Sequence, residues 1–184
     1  PFSPRKGTYY EVTANPGHII RQGSEYLMFF SAAAPHGNRL LRTLGIARTY
    51  SLDGTWTVDP TPILPSNEQI ENALLYFEPT NETWFLFTNH IGVDALGHEY
   101  TDAVWVYWSK NLNRWDPANK AVVLDAPTSI WSKRIIGLPS VIQVGDTLAI
   151  FYDGREFDDN GHMGRHIGLA TLPLPLTPPS STAN

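Results

Sequence analysis

The sequence predicts an all-β fold, a β-propeller of which about three blades are present. Three observations carry that expectation. Aromatic residues make up 12% of the 184 residues, alongside 14 Gly and 15 Pro, a balance that favours short strands and turns over helices. A weak internal repeat recurs at about 60 residues and carries the same order of elements each time. No stretch sustains a helical hydrophobic period, and 129–135 reads at most as a short turn.

The elements follow in order. Each copy begins with an apolar stretch: 17–20, 71–77 and 138–142. A polar turn comes next, at 22–25, 79–82 and 144–146, followed by an aromatic strand at 26–31, 83–88 and 147–152. Two apolar runs around a short Gly- or Asn-containing turn read as a β-hairpin. A third strand follows at 43–48, 103–109 and 166–170. Copies one and two then share the punctuation Ser51-Leu-Asp-Gly-Thr-Trp56 and Asn111-Leu-Asn-Arg-Trp115, whose tryptophans stand 59 residues apart. Pro62–Leu64 and Ala121–Leu124 read as fourth strands. The blades span about 9–64, 69–125 and 136–172, and 173–184 reads as a frayed Pro/Ser-rich tail. A sandwich also has short strands and regular turns, but it does not repeat a turn motif every four strands.

Composition narrows the partners. The net charge is −5 with no run of Lys or Arg, which argues against a phosphate-gripping nucleic-acid domain. No apolar run approaches the roughly 20 residues that span a bilayer, so no membrane partner is expected. The absence of cysteine removes disulfides, thiolate zinc sites and cysteine nucleophiles. Three blades cannot close a ring, since propellers have 4–8. The expectation is that further N-terminal blades, or a second chain, complete it.

At this point the residues resemble a known group. Leu44-Gly-Ile-Ala-Arg48 and Ile167-Gly-Leu-Ala170, the Ser/Asn-Leu-x-x-Trp punctuation and the Pro-x-Leu stretch are similar to the five-bladed propeller glycoside hydrolases. The likeness is to the family 43 type, with families 32, 117 and 130 as relatives, and covers roughly residues 15–172. It implies a five-bladed ring seen in part. Gln69-Ile-Glu-Asn72 resembles the Ile-Glu-Gly-Pro segment that carries the catalytic acid in family 43, with Asn72 and Ala73 standing where Gly-Pro is expected. At the corresponding place in the first blade stands Asn15-Pro16-Gly17-His18, without the Asp of that family. If family 43 is the right relative, the resemblance implies inversion on arabinose- or xylose-type substrates.

Residues at the mouths of inner strands and in the loops after second strands face one pocket. That geometry selects Asn15, His18, Glu71, Asn72 and Ser140, then Ser31, His36, Asn89, His90, Asp153, Arg155 and Glu156. Glycoside hydrolysis needs two carboxyl groups, about 5–5.5 Å apart for retention or about 6.5–9.5 Å for inversion. Glu71 is the candidate acid, at the head of an apolar strand; the competing reading is a solvent-exposed Glu just outside it. Asp153 is read either as the second carboxylate or as the first residue of an Asp-Gly turn. His18, Asn72, Asn89, His90, Trp131, Arg155 and Glu156 are the candidate substrate contacts. Arg155 and Glu156 also read as a surface pair, and His90, His98 and Glu99 as part of a long loop over 89–101. Trp56, Trp84 and Trp115 occupy repeat positions and read as packing between blades, whereas Trp131 suits stacking on a sugar.

No metal site is expected. His162 and His166 lie among glycines, not on a helix, and Glu156, Asp158, Asn160 and Gly161 match the start of a calcium loop only by accident, with Ile167 at its twelfth position. The chemistry needs no cofactor, and a structural calcium ion is the one addition left open. The function expected is hydrolysis of a glycosidic bond in an oligo- or polysaccharide, in an extracellular or periplasmic setting. The alternatives are a non-catalytic carbohydrate-binding propeller and a family 130-like phosphorylase, for which Arg134 and Arg155 are the available cations.

Overall fold

The computed structural model describes residues 2–156 and 163–179, and these form three antiparallel sheets. The first contains β1 (Thr13–Asn15), β2 (Ile19–Gln22), β3 (Glu25–His36), β4 (Arg39–Thr49) and β5 (Thr57–Val58). The second runs β6 (Ile70–Glu78), β7 (Thr83–Val93), β8 (Glu99–Ser109), β9 (Lys120–Asp125), and the third β10 (Ile136–Val144), β11 (Thr147–Gly154), β12 (His166–Pro173). A 3₁₀ turn at Ser66–Glu68 joins the first two sheets. Among the described residues no helix is long and apolar enough to cross a membrane.

The repeat is sharper in the structure than in the sequence. β1 and β2 both pair with β3, so they form one inner strand broken at Pro16–His18. β6 and β10 break at the same level. Pairing steps from Asn15↔Ser31 to Ile19↔Met28, from Glu71↔Asn89 to Leu74↔Phe87, and from Gly137↔Asp153 to Ser140↔Phe151. Each step leaves one extra residue on the inner strand, a β-bulge, which bends the strand and re-aims the side chains beside it.

Alternating side chains then pack sheet on sheet. Leu27 and Phe29 of β3 with Leu44 and Ile46 of β4 meet Ile70, Leu75, Leu86 and Tyr107 of the second sheet. Trp115 sits edge-on to Phe29, with centroids 6.4 Å apart. The other face of the second sheet, through Phe85, Phe87, Val104 and Val106, meets Leu148, Ile150 and Tyr152. Trp115 and Trp84 thus pack between blades. Trp56 packs instead on the far face of the first sheet, where Phe2, Tyr9 and Tyr10 gather round Phe30. The shared punctuation also ties blades together, because Arg48 donates to Asn113 Oδ1 at 2.6 Å as well as to Asp59.

Three sequence expectations change. The second and third strands continue well past their apolar cores, as far as His36↔Arg39 and Val93↔Glu99, so Ser31, His36, Asn89 and His90 lie in hairpins and the 89–101 loop shrinks to 94–98. The fourth strand of the first blade is β5, not Pro62–Leu64; the prolines at 60, 62 and 65 lack the N–H a strand needs. Pro173–Leu176 is also not frayed. Leu174 and Leu176 join the core between the second and third sheets, Leu176 N donates to Glu78 Oε2 at 2.9 Å, and Asn81 Nδ2 donates to Leu176 O at 2.6 Å.

Glu78 is 2% exposed. Burial pushes its carboxyl pKa up, but donors from Thr80, Leu176 and Tyr76 outweigh burial, and the net shift is below the ordinary glutamate value. A depressed pKa stabilises the fold above the unfolded value and loses that contribution as pH falls through the folded one. Glu78→Gln is therefore expected to cost about 1–3 kcal/mol at neutral pH and to flatten the acid limb of the Tm–pH profile. A Tm unchanged at pH 7 would remove the stabilising role of this clamp.

Candidate active site

Glu71 is the last residue of β6 to pair before its bulge, opposite Asn89. Asn72 follows in the left-handed region, with φ 60°. That conformation explains the departure at this position, because Asn tolerates positive φ better than other side-chained residues. Asn also adds contacts that glycine lacks. Asn72 Nδ2 donates to Asn89 Oδ1 at 2.6 Å, Asn89 Nδ2 donates to Glu71 Oε1 at 3.4 Å, and Asn72 N donates to Ser31 Oγ at 2.8 Å. Ser31 and Asn89 are buried and Asn72 and Glu71 half-buried, so the chain of hydrogen bonds from the first blade runs from the core out to a partly exposed Glu71.

Arg42, on β4, reaches across from the first blade. Its Nη1 lies 3.2 Å from Glu71 Oε2 and its Nη2 2.5 Å from Glu99 Oε2. Gln69 locks this crossing by accepting from Arg42 N and donating to Leu40 O. On the third blade, Asp153 pairs with Arg165, and the buried Asp153 Oδ1 has no hydrogen-bond partner among the described residues. Arg42, Glu71, Glu99, Tyr100, Thr101 and Arg165 line a cavity of about 210 Å³. Thr101 is 7% exposed, and its Oγ1 also lacks a partner among the described residues. Gly137 makes the close approach of the third blade possible, since a Cβ there would meet Thr101 Cβ at 2.7 Å. The result is a recess lined by two carboxylates, two guanidinium groups, a tyrosine and a threonine, drawn from all three blades.

The structure brings Glu71, Asn72 and Asn89 together, and it sets Asp153 beside Arg165, which lines the cavity at Glu71 although Asp153 itself is not among its lining residues. Asp153 is paired on both sides within the sheet, opposite Gly137 and Ile167, so the Asp-Gly turn reading does not hold. His18 serves the inner strands: its Nδ1 accepts from Leu75 N at 2.9 Å. His90 bonds Asp102 and lines a neighbouring cavity with Trp105. Trp131 and Glu156 line a third cavity with Lys133 and His166, and Trp131 Nε1 donates to Tyr152 OH at 3.1 Å. The backbone of Arg155 holds that segment through Ser132 Oγ, at 2.9 Å. Trp131 and Glu156 are not among the residues lining the cavity at Glu71. Sequence reasoning missed Arg42, Tyr100, Thr101 and Arg165, which belong to no motif; the first three reach the site through hairpin length, and Arg165 stands just before β12.

Among the described residues no three His, Asp or Glu side chains converge as a metal site. The calcium-loop positions Asp158, Asn160 and Gly161, like His162, lie outside the described residues.

Burial lowers the His18 imidazole pKa below its ordinary value. A lowered histidine pKa means that the unfolded chain takes up the proton first. Stability is full above about pH 6.5 and falls as the pH drops below it. The Tm of the wild type is expected to fall between pH 7 and pH 5, and His18→Asn, which keeps an acceptor for Leu75 N, is expected to shrink that fall. Identical pH profiles for the two proteins would show that His18 does not couple stability to pH.

No family model and no curated protein matches this chain. Solved structures do. A glycoside hydrolase matches with TM-score 0.68 at 17% identity, over 89% of this chain and 47% of its own. An endo-arabinase from Bacteroides thetaiotaomicron matches with TM-score 0.65 at 14% identity, over 92% and 60%. A thermostable family-43 glycoside hydrolase matches with TM-score 0.64 at 16% identity, over 89% and 51%. The chain spans about half the length of these structures. What it shares with them is the fold, a β-propeller.

Proposed function

We propose that this chain carries the active-site side of a propeller that hydrolyses glycosidic bonds in an oligo- or polysaccharide. The observation that supports this most is Glu71, set on a bulge at the mouth of an inner strand and facing a cavity with further charged groups. Hydrolysis requires one carboxyl group to protonate the leaving oxygen and a second to act on water or on the anomeric carbon. In this reading Glu71 is the acid and Asp153, oriented by Arg165, is the second carboxylate. Asn72 and Asn89 hold Glu71 in place, and Arg42 fixes its distance from the first blade.

The same proposal includes an extracellular or periplasmic setting and further blades, from a second chain or from beyond these residues, that complete the ring. The outer face of the third sheet supports the last point, since Ile142, Phe151, Ile167 and Leu169 are exposed there. A second reading, sugar binding without turnover, draws on one fact: Glu71 Oε2 is already engaged by Arg42.

The test is sugar release from arabino-, xylo-, galacto- and manno-oligosaccharides by the wild type and Glu71→Gln, with and without phosphate. Loss of a general acid is expected to slow turnover by about 10²–10⁴-fold. Equal turnover by the two proteins would overturn the assignment of Glu71. A strict need for phosphate would move the reaction to phosphorolysis. Binding with no turnover by the wild type would favour the second reading.

A further inference from the structure

We infer that Glu99 is a positioning residue for Glu71: it is the second seat of the Arg42 guanidinium and takes that cation off Glu71 when Glu71 acts as the acid. The inference rests on the assignment of Glu71 above and adds to it what must move before that residue can work.

Donors and acceptors at Glu71 are mismatched to acid catalysis. Asn89 Nδ2 donates to Glu71 Oε1 at 3.4 Å, and Arg42 Nη1 donates to Glu71 Oε2 at 3.2 Å. Glu71 therefore stands as an acceptor at both oxygens. A general acid does the opposite and offers its own proton to the leaving oxygen. Arginine has five N–H donors and no acceptor, so a guanidinium cannot face that O–H. One of the two contacts has to open. Asn89 is the fixed one, since it is buried and its Oδ1 accepts from Asn72 Nδ2 at 2.6 Å. Arg42 is the movable one, with a side chain that keeps some exposure.

Glu99 gives Arg42 a place to go. Arg42 Nε and Nη2 both donate to Glu99 Oε2, at 3.2 and 2.5 Å. The contact to Glu71 is single and longer than the closer of these two. When Nη1 leaves Glu71, the guanidinium thus keeps a charged partner, and the large cost of a half-buried cation left alone is avoided. A retreat of about 0.5 Å is enough, because a contact near 3.6 Å is no longer a hydrogen bond. The backbone need not follow. Arg42 is paired opposite Ala33 and its N–H donates to Gln69 Oε1 at 2.8 Å, while Glu99 is paired opposite Val93 and Glu71 opposite Asn89. Arg42, Glu71 and Glu99 all line the same cavity, so a ligand entering it meets the guanidinium as well as the acid. Once Glu71 has given its proton to the leaving oxygen it is a carboxylate again, and Nη1 returns to it. The contact between Arg42 and Glu71 is on this account the resting arrangement of the site.

The test measures kcat and KM of the full chain on the arabino-, xylo-, galacto- and manno-oligosaccharide series. Glu99→Met, which removes the second seat, is expected to lower kcat tenfold or more and to leave KM within about threefold. Glu99→Gln, which keeps the size and a neutral acceptor, is expected to fall between Glu99→Met and the wild type, and it keeps the result readable if the methionine variant unfolds. The double variant Arg42→Met/Glu99→Met removes the cation together with its seat, and is expected to turn over at least threefold faster than Glu99→Met alone. A residue that merely supported the fold would not be rescued by a second deletion. Unchanged kcat in both Glu99 variants, a loss confined to KM, or a double variant no faster than the single one would overturn the role of Glu99 and leave Glu71 as the acid. No turnover by the wild type, or full turnover by Glu71→Gln, would remove the acid and the role of Glu99 with it.

Discussion

The site depends on one backbone event, the extra residue that follows Glu71 in its inner strand. In an unbroken strand, side chains alternate between faces and each residue pairs with the neighbouring strand. The bulge stops pairing at Glu71 and turns the next amide towards the first blade, where it donates to Ser31 Oγ. A buried amide without an acceptor would cost about 1–3 kcal/mol. Ser31 therefore fixes where the second blade can sit against the first, and Asn89 passes the constraint on to the Glu71 carboxylate. The same slip recurs beside Asn15 and Gly137, so the geometry is a property of the repeat. The chemistry at each mouth then differs only through the side chain that occupies it.

The periodic part of this arrangement was legible in the sequence. Pairs such as Leu27 with Phe29, Phe85 with Phe87 and Leu148 with Ile150 alternate at the period of a strand, and burial on the facing sheet is what that alternation encodes. Glu71 was legible as well, because it heads an apolar run. The hairpin extensions were not. Residues 32–42 and 90–101 contain Ala-Ala-Pro-His-Gly and polar stretches with no alternation, and their pairing rests on backbone hydrogen bonds that any side chain permits. Arg42, Glu99 and Tyr100 ride on those extensions, so hairpin length, which composition does not specify, decides their presence at the site. The Asp-Gly pair at 153–154 misled for the opposite reason. Its local preference is a turn, and pairing on both sides overrides it.

The charges at the mouth have a distribution that stability alone does not account for. Arg42, Glu71 and Glu99 retain 18–28% side-chain exposure, and Asp153 and Arg165 each retain 16%. Ion pairs in such partly dry settings recover little beyond the cost of their desolvation. An apolar set at these positions would hold the blades together at least as well. The fold already supplies that cohesion through Phe29, Trp115, Phe87 and Leu148, below the mouth. What the ion pairs do supply is orientation: one guanidinium holds two carboxylates from different strands at set positions, and a second holds Asp153.

That division of labour separates fold from function in this chain. A propeller of packed sheets hosts many activities, and the packing itself carries none of them. The apolar clusters lie between the sheets and would persist whatever stood at residues 71, 99, 102 or 153. Polar residues gather beside the register slips at Glu71, Gly137 and Asp102: the backbone releases Asn72 and Asp102 from pairing there, while Glu71 and Asp153 are the paired residues at the edge of each slip. Each slip is held by tightly fitted neighbours: Asn72 in the left-handed region, Gly137 against Thr101, and Gly92 against Asp102. The functional surface of this fold is therefore written in its irregularities, and the regular strands between them keep those irregularities in register with one another.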